Sequence, residues 1–369
     1  MTICSIIKVS STALHSIVPL CTVLVRVLDD GFKKRFGTQF YDPVTRGPGV
    51  LIAEQRLRVT TKIIHDLGEL SSPLKKPVLT IGNFDGVHRG HLALFERVKI
   101  RARAIGGVSA VMTFQPHPMK IMKPEKAPPL ITPVRQKLSL IAQAGINTIL
   151  CLPFDETFAA ISAEDFVRNI LVQRIGVREL VVGYDYTFGH NRTGNIELLR
   201  GMGKDLGFQV HVVQPVLMGK RVVSSTSIRE LVRAGEIAEA KKLLGRDYQI
   251  CGTVVKGKNR GGRLLGFPTA NLELVDELTP KEGVYAVKVL IGDHLYNGVT
   301  NIGHNPTFGQ GPLSIETHIL DFSGDLLGQT IRVNFIHRLR AEKTYKSIEE
   351  LARQIDLDIK VAREVMEAQ

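Results

Sequence analysis

The segment Gly82-Asn-Phe-Asp-Gly-Val-His-Arg-Gly-His91 contains three glycines and two histidines and follows a short apolar run. Glycine lets a backbone approach an anion closely, and the helix predicted from about residue 89 presents free N–H groups and the positive end of its dipole. The histidines add side-chain donors. We therefore predict a polyphosphate site with His88 and His91 as candidate catalytic residues and with binding groups at Gly82, Asn83, Phe84, Asp85 and Gly90. The simpler alternative is a glycine-rich turn before a helix.

A run of hydroxyl side chains opens another predicted helix, in Ser224-Ser-Thr-Ser-Ile-Arg229. Ser227 and Glu230 satisfy the capping-box pattern, which needs only one hydroxyl. Arg229 in the first turn opposes the helix dipole, whereas an arginine among hydroxyls suits a bound phosphate. We interpret the segment as a second phosphate-binding group, with helix capping as the alternative and with contributions from Ser225, Thr226 and Arg229.

Two weaker signals follow predicted strands of the same region. They are Phe114-Gln-Pro-His-Pro118 and Val182-Gly-Tyr-Asp-Tyr-Thr-Phe-Gly189, of which the second offers Asp185 among aromatic side chains. The carboxyl ends of parallel strands form the ligand-binding edge of an open sheet. Taken singly, each segment is more typical of an ordinary strand-end turn.

A glycine-rich basic loop, Gly257-Lys-Asn-Arg-Gly-Gly-Arg-Leu-Leu-Gly266, runs into Phe-Pro-Thr-Ala-Asn271. Backbone N–H groups and basic side chains can hold phosphates, so Gly257 and Gly266 are candidate nucleotide-binding residues. Thr269 and Asn271 share a face on an extended strand, and both offer oxygen atoms of the kind that Mg²⁺ accepts alongside phosphate oxygens. A plain turn is the alternative for so short a motif.

Glu316 lies between apolar neighbours in the predicted strand Ser314-Ile-Glu-Thr-His-Ile319. It is either an outward-facing, inert residue or a general base. An unperturbed glutamate has a pKa of ~4.3 and is ionised at pH 7. A base at this position therefore needs correct placement more than a shifted pKa, because phosphoryl transfer depends mainly on alignment and charge neutralisation.

The elements around the first motifs predict an α/β fold. From residue 77 to about residue 246, apolar runs of strand length alternate with amphipathic helices. Such alternation is typical of a Rossmann-like parallel sheet with helices on both faces. Six of the seventeen prolines fall within residues 116–133, so this stretch should be a long surface loop.

The hydrophobic period changes near residue 247. Predicted strands at 248–256, 283–292, 296–302, 314–322 and 330–339 have turns and no helices between them, which indicates a small antiparallel β-barrel. In the last strand Ile331, Val333 and Phe335 share one face. A C-terminal amphipathic helix should pack on the barrel through the stripe formed by Ile348, Leu351, Ile355, Ile359 and Ala362.

Composition fits a globular chain of two or three domains. The 369 residues are 44% hydrophobic and 23% charged, which argues against disorder, and domains average ~150 residues. The net charge of +12 indicates an anionic partner such as nucleic acid, a nucleotide or a membrane surface. Four scattered cysteines without a C-x-x-C pair argue against a zinc site or a disulfide scaffold and favour a reducing compartment.

Residues 1–58 lack sustained periodicity. They are interpreted as a disordered extension or a misplaced start of translation. A transit peptide fits less well, because Asp29, Asp30 and Asp42 conflict with the acid-poor composition of such peptides. We predict three parts with boundaries at 1–58, 59–246 and 247–369.

Together the motifs resemble the bacterial family of bifunctional riboflavin kinases/FAD synthetases, over roughly 300 residues from Lys62 onward. The resemblance rests on the family order of the segments at 82–91, 114–118, 182–189, 224–229, 266–271 and 301–308, followed by Glu316. The sequence departs from the family at Ala341, where proline is frequent, and residues 1–58 have no recognised counterpart.

The resemblance implies that residues 59–246 adenylylate FMN to FAD and that residues 247–369 phosphorylate riboflavin to FMN. In the first site His88 and His91 would bind the ATP phosphates, Asp185 would lie near the flavin and ATP, and phosphates would be held by Ser225, Thr226 and Arg229. In the second, Glu316 would take the proton of the ribityl hydroxyl, and Mg²⁺-ATP would be held by Thr269 and Asn271, with Asn301 as a further binding residue.

The implied ligands are riboflavin, FMN, FAD, ATP and Mg²⁺, in the cytoplasm and without a nucleic-acid or membrane partner. The alternative from another class is a nucleic-acid-binding protein with a decayed nucleotidyltransferase domain. Its basis is the charge of +12 and the small barrel, an architecture that often binds oligonucleotides. Against it, the chain has no tryptophan, whereas surfaces that stack bases need exposed aromatic side chains.

Overall fold

The computed structural model describes residues 60–257, 267–275, 277–304 and 313–368. The predicted extension 1–58, Gly266 with most of the basic loop, and residues 305–308 therefore lie outside the described residues. Within the described part, no helix is both long enough and apolar enough to span a bilayer.

The first half contains six strands: β1 Lys62–Ile64, β2 Val78–Ile81, β3 Ser109–Gln115, β4 Thr148–Pro153, β5 Glu179–Gly183 and β6 Gln209–Val213. All neighbouring pairs are parallel, and the spatial order is β1-β4-β3-β2-β5-β6. The chain thus moves outward from β2 on both sides, so a topological switch point lies between β2 and β5, where open sheets bind ligands. The predicted α/β class is confirmed.

The helices of this half are α1 Arg89–Ala104, α2 Pro118–Met122, α3 Val134–Gln143, α4 Glu156–Ala159, α5 Ala163–Asp165, α6 Ile196–Leu206, α7 Ser225–Ala234 and α8 Ile237–Leu244. A π-helical segment, Phe166–Ile175, continues α5. A small hairpin, β7 Leu217–Met218 and β8 Arg221–Val222, precedes α7.

Both faces of the sheet are covered, because its strands are apolar at consecutive rather than alternate positions. Val78 belongs to a hydrophobic cluster with Phe95 of α1, whereas the next residue, Leu79, belongs to a second cluster with Leu199 of α6. The helices therefore lie on both faces, as the alternating pattern predicts.

Two predictions about connecting segments need correction. The proline-rich stretch 116–133 contains α2, since Pro118 occupies the first helical position, where a missing N–H costs nothing, and Ile131 near its end is buried rather than on the surface. The pattern of residues 228–244 predicts a mostly helical segment, which the structure divides into two helices, because Gly235 adopts φ +82° and ends the first of them.

Six antiparallel strands form a closed barrel in the second half: β9 Tyr248–Val255, β10 Ala270–Glu273, β11 Gly283–Ile291, β12 His294–His304, β13 Leu313–Ile319 and β14 Thr330–Arg340. Their order around the barrel is β10-β13-β12-β11-β14-β9. The predicted barrel is confirmed, and Ile331, Val333 and Phe335 are each 0% exposed, so the predicted apolar face of β14 lines the interior.

The C-terminal helix, α9 Ile348–Glu367, packs on the barrel through its last turns. Ala362 and Met366 are buried against Val284 and Val299. The predicted stripe is wrong at its start, where Ile348 is 53% exposed, because the buried apolar contacts of this helix with the barrel lie at Ala362 and Met366 in its last turns.

The two halves share one hydrophobic cluster, in which Leu244 of α8 packs with Tyr248 and Phe335 of the barrel. A polar contact also joins them, since Gln136 Nε2 of α3 donates to Gln249 Oε1 of β9 at 2.8 Å. The domain boundary at 246/247 remains a prediction, and it falls within a continuously packed region.

Candidate active sites

The glycine–histidine loop at 82–91 connects the end of β2 to the start of α1. His88 is the N-cap of α1: its Nδ1 accepts the backbone N–H of His91 at 3.3 Å, and His91 Nδ1 accepts the N–H of His88 at 3.4 Å. The rings stack with centroids 3.5 Å apart. Because both Nδ1 atoms accept, each neutral ring carries its proton on Nε2, an atom with no hydrogen-bond partner in the described part of the chain.

Burial and neighbouring cations keep both histidines neutral. Burial lowers the pKa of His88 to about 4, and the charge of Arg246 adds to this effect. Burial also lowers the pKa of His91 well below its ordinary value, with smaller contributions from His88 and Lys137. At pH 7 the pair therefore offers two neutral N–H donors.

Replacing His88 by asparagine is expected to reduce the acid sensitivity of the fold. The folded-state pKa of His88 lies below the unfolded value of 6.5, so its contribution to stability is complete above pH 6.5 and is lost as the pH falls towards 4. Asparagine also caps helices but does not titrate there. The wild type should therefore lose more stability than His88→Asn across this range, by at most about 3 kcal/mol. Urea unfolding of both proteins at pH 6.5 and at pH 4 measures the difference. Equal losses of stability in the two proteins would contradict a neutral His88 in the folded state.

Asp85 of the loop forms a buried ion pair with Arg229 of α7. The Asp85 carboxylate accepts hydrogen bonds from the backbone N–H groups of Ile131 and Thr132, each at 3.0 Å, and from Arg229 Nη2. Arg229 Nε also donates to the carbonyl of Pro129 at 3.0 Å. Two side chains predicted to bind the ligand are thus engaged with one another and with the backbone, where they support the loop.

Other loop residues are constrained by close packing. Phe84 is buried and packs edge-on against His91, with ring centroids 5.1 Å apart, so its ring supports the histidine. A Cβ on Gly82 would lie 3.1 Å from the Phe84 ring, and one on Gly90 would lie 3.2 Å from the carbonyl oxygen of Val223. Larger residues at these two positions would displace the loop.

The hydroxyl run lies at the start of α7, against the loop. Ser224 is the N-cap, and its Oγ accepts the N–H of Ser227 at 3.1 Å. The predicted N-cap, Ser227, is therefore wrong: the helix begins one turn earlier, after Ser224. With four consecutive hydroxyl residues, the sequence does not show which one caps the helix. Ser225 Oγ donates to the carbonyl of Asp85 at 2.9 Å, while Thr226 is exposed.

A buried lysine that the sequence argument does not single out lies beneath the loop. Lys137 Nζ of α3 donates to Asn83 O at 3.1 Å, to Thr113 Oγ1 at 3.0 Å and to Phe114 O at 3.1 Å. The sequence does contain a signal for it, because Lys137 lies next to Leu138 on the buried face of α3. A buried lysine needs hydrogen-bond acceptors. It ties together the carboxyl ends of β2 and β3.

The weak signal at 114–118 also reaches the loop. His117 Nε2 lies 3.4 Å from Asn83 Nδ2, and its Nδ1 accepts the N–H of Met119. Burial lowers the pKa of His117 to about 4. Asp185, by contrast, is exposed after β5. The sheet edge thus brings together the loop, the 114–118 segment and the hydroxyl run.

Three polar residues form a row across neighbouring strands of the barrel. Glu316 of β13 is the register partner of both Asn271 of β10 and Asn301 of β12, so the three side chains share one face. This is the outer face, because the flanking Ile315 and Thr317 are buried at 5% and 0% exposure in the alternate positions that face inward. The structure places the predicted base beside one predicted metal ligand.

Two more predicted residues adjoin this polar row. A Cβ on Gly257 would lie 2.2 Å from Asn271 Nδ2, so the backbone at the start of the basic loop packs directly on the amide. Thr269 is exposed immediately before β10. The start of the basic loop and the Thr-Ala-Asn segment therefore meet next to Glu316.

Burial raises the pKa of Glu316 above its ordinary value. A hydrogen bond with Ser314 opposes this change, and the nearby carboxylate of Glu342 reinforces it. The unperturbed carboxyl assumed from the sequence is thus replaced by a more basic one, which suits a proton acceptor.

The oxygen atoms of Thr269 and Asn271 suit Mg²⁺ that is held together with phosphate oxygens. Thr269 and Asn271 supply neutral oxygen atoms, and Mg²⁺ in nucleotide sites keeps waters and takes phosphate oxygens as ligands. Within the described ranges, no three His, Cys, Asp or Glu side chains cluster as a self-contained metal centre would require. The nucleotide would therefore supply most of the negative charge.

Two family models match the chain, one on each half. The FAD synthetase family matches residues 71–227, which include the loop and the hydroxyl run. The riboflavin kinase family matches residues 244–366, which include the polar row of the barrel. The order of the two matches is the order of the two predicted sites.

Relatives share almost their full length with this chain. The bifunctional riboflavin kinase/FMN adenylyltransferase of Escherichia coli strain K12 is 40% identical over 302 residues, which are 82% of this chain and 96% of that protein. Proteins of the same name from Pseudomonas fluorescens and Haemophilus influenzae are 39% and 35% identical, over 82% of this chain and 97% and 98% of their own.

A solved structure has the same fold. The crystal structure described as that of a macrolide-efflux protein from Streptococcus pneumoniae matches with a TM-score of 0.73 and 31% identity, over 82% of this chain and 98% of its own. With both family models and these relatives in agreement, the chain belongs to the family of bifunctional riboflavin kinases/FMN adenylyltransferases.

Proposed function

We propose that this chain makes FMN and then FAD at two separate sites. The barrel transfers the γ-phosphoryl group of ATP to the ribityl hydroxyl of riboflavin. The sheet site transfers AMP from a second ATP to FMN and releases pyrophosphate. The observation that carries the proposal is the presence of two polar sites, one on each half matched by the corresponding family.

In adenylyl transfer, a phosphate oxygen of FMN bonds to the α-phosphorus of ATP, the bond to the β-phosphate oxygen breaks, and pyrophosphate leaves. The Nε2–H groups of His88 and His91 donate to the phosphate oxygens on which charge grows, and the N-terminus of α1 adds its dipole. Asp85, Arg229 and Lys137 hold the loop rigid, so these donors do not have to reorganise during the reaction.

In phosphoryl transfer, Glu316 accepts the proton of the ribityl hydroxyl while that oxygen bonds to the γ-phosphorus and ADP leaves. Thr269 and Asn271 would hold Mg²⁺, which neutralises phosphate charge when it is bound. Asn301, on the other side of Glu316, orients the substrate next to the base.

Incubation of the purified protein with riboflavin, ATP and Mg²⁺ tests both reactions. Chromatography should show riboflavin converted first to FMN and then to FAD, and a chelator should stop the conversion. Absence of both FMN formation from riboflavin and FAD formation from supplied FMN would refute the proposal.

Deletion of residues 1–58 is expected to leave both activities and the unfolding temperature unchanged. Both family matches begin after this segment, and the relatives align over 96–98% of their own length with 82% of this chain. Rates and Tm of the full and shortened chains measure the effect. A clear fall in Tm would show that the segment stabilises the rest of the protein.

The nucleic-acid-binding alternative gains no support, since both halves match enzyme families. We propose that nucleotides and flavins are the anionic partners that the positive charge attracts. The cysteine pattern supports a cytoplasmic location.

A further inference from the structure

Arg246 lies between the end of α8 and the start of β9, and its side chain reaches back to the glycine–histidine loop. Nη1 donates to the carbonyl of Val87 at 3.1 Å, and Nη2 donates to the carbonyl of Gly86 at 2.7 Å. Nε is buried and has no hydrogen-bond partner among the described residues. Arg246 falls within the residues matched by the riboflavin kinase family, yet both acceptors belong to the part matched by the FAD synthetase family.

The turn that Arg246 contacts has an unfavourable backbone. Gly86 has φ +87° and Val87 has φ +38°, and a β-branched residue is disfavoured in this left-handed region. Such a conformation persists only where the surrounding structure imposes it. Because the turn directly precedes His88, its conformation sets where the rings of His88 and His91 lie.

The chain on either side of Arg246 is itself fixed by α8 and by the barrel. The preceding residue, Gly245, ends α8 with φ +79°, and the following residue, Asp247, pairs with Lys241 at 2.8 Å. Tyr248 is buried, and its hydroxyl donates to the carbonyl of Leu278. The backbone from which the Arg246 side chain extends is therefore held by both α8 and the first strand of the barrel.

We propose that Arg246 is a positioning residue for adenylyl transfer: it holds the turn at residues 86–87 so that His88 and His91 face the ATP phosphates, and it places a fixed positive charge beside both rings. The inference rests on the proposed function and deepens it. The FAD-forming site would thus depend on a residue at the junction of the two halves, which the riboflavin kinase family match includes.

The charge and the geometry of Arg246 can be separated. Loss of its charge is expected to raise the pKa of His88 and His91, because that charge lowers both values. A lysine would keep the charge but could not bridge two carbonyls as the planar guanidinium does. The other charged or titratable groups that face these side chains are Arg229, Lys137, Asp85 and Tyr248, and they are unchanged in both variants.

The experiment compares Arg246→Met and Arg246→Lys with Gln136→Ala, which removes a contact between the halves that does not involve the loop. For FAD formation from FMN, kcat and KM for ATP are measured as a function of pH, while FMN formation from riboflavin reports the folded state. Arg246→Met is expected to lower kcat/KM about 10- to 100-fold and to move the acid limb to higher pH. Arg246→Lys should lose activity without moving the acid limb, and Gln136→Ala should resemble the wild type.

Wild-type FAD formation in Arg246→Lys, or a loss in Arg246→Met no larger than that in Gln136→Ala, would overturn the proposal. If Arg246→Met also fails to form FMN, this variant is not correctly folded, and the FAD-forming activity of Arg246→Lys then decides the test. Because the wild type is assayed alongside, failure of the wild type to make FAD refutes the proposed function. Active variants beside an active wild type refute only the role of Arg246.

Discussion

Replacement of His91 by alanine is expected to abolish FAD formation from FMN, while FMN formation from riboflavin continues at the wild-type rate. The imidazole Nε2–H is a donor at the place where charge grows on the phosphates, and removal of such a donor costs ~10²–10³ in rate. The polar row of the barrel lies on different strands, so its reaction does not need His91. Separate assays with riboflavin and with FMN measure the two rates.

His91 also caps α1, so the loss in the alanine variant has to be separated from a structural effect. In His91→Gln the side-chain oxygen can still accept the N–H of the N-cap, as glutamine does in a capping box, but the imidazole is absent. We expect this variant to retain its Tm and still lose FAD formation. His294→Ala, at an exposed histidine of the barrel, should change neither rate. Normal FAD formation in His91→Gln, or loss of FMN formation as well, would contradict the assigned role.

Replacement of Glu316 by glutamine is expected to have the opposite effect: FMN formation stops, and FAD formation from supplied FMN continues. Glutamine preserves the volume and one acceptor oxygen of the side chain but cannot act as a base. General-base catalysis contributes ~10²–10⁴ in rate, so the loss should be of that size. Because Asn271 and Asn301 still flank the position, a glutamine is not expected to disturb the barrel, and an unchanged Tm would verify this.

The pH dependence of FMN formation provides a second measurement of Glu316. The carboxylate acts as a base only when it is ionised, and burial raises its pKa. The wild-type rate should therefore rise with pH through a midpoint above the pKa of an unperturbed glutamate. Glu364→Gln, at an exposed glutamate of α9, is the matched control and should keep the profile. FMN formation at the normal rate in Glu316→Gln would remove this residue from the mechanism.

The strands and helices that carry both sites could be predicted from the local pattern of apolar and polar residues. Alternation of apolar runs with helices predicted the parallel sheet, and the period of two in β14 predicted a face that is fully buried at Ile331, Val333 and Phe335. Such patterns are informative because side-chain direction repeats every two residues in a strand and every 3.6 residues in a helix, whatever the rest of the chain does.

Local pattern was insufficient where the packing partner decides the outcome. Ile348 belongs to the apolar stripe of α9 and is nevertheless 53% exposed, whereas Ala362 on the same stripe is 0% exposed. Lys137 carries a charge on a buried helical face and has three oxygen acceptors from two strand ends. Neither the exposure of Ile348 nor the acceptors of Lys137 can be derived from the neighbouring residues in the sequence.

By itself, the sequence determined which residues could do chemistry and which elements carry them: histidines at a helix start, hydroxyls at another, and an asparagine and a glutamate on strands. Only the tertiary structure decided how they are held. Asp85 pairs with Arg229, 144 positions away, and Glu316 lies between Asn271 and Asn301. The physical reason is that a buried charge needs an opposite charge or hydrogen-bonding groups, and a strand needs a neighbouring strand for its backbone hydrogen bonds. Both come from remote segments whose register no local periodicity encodes.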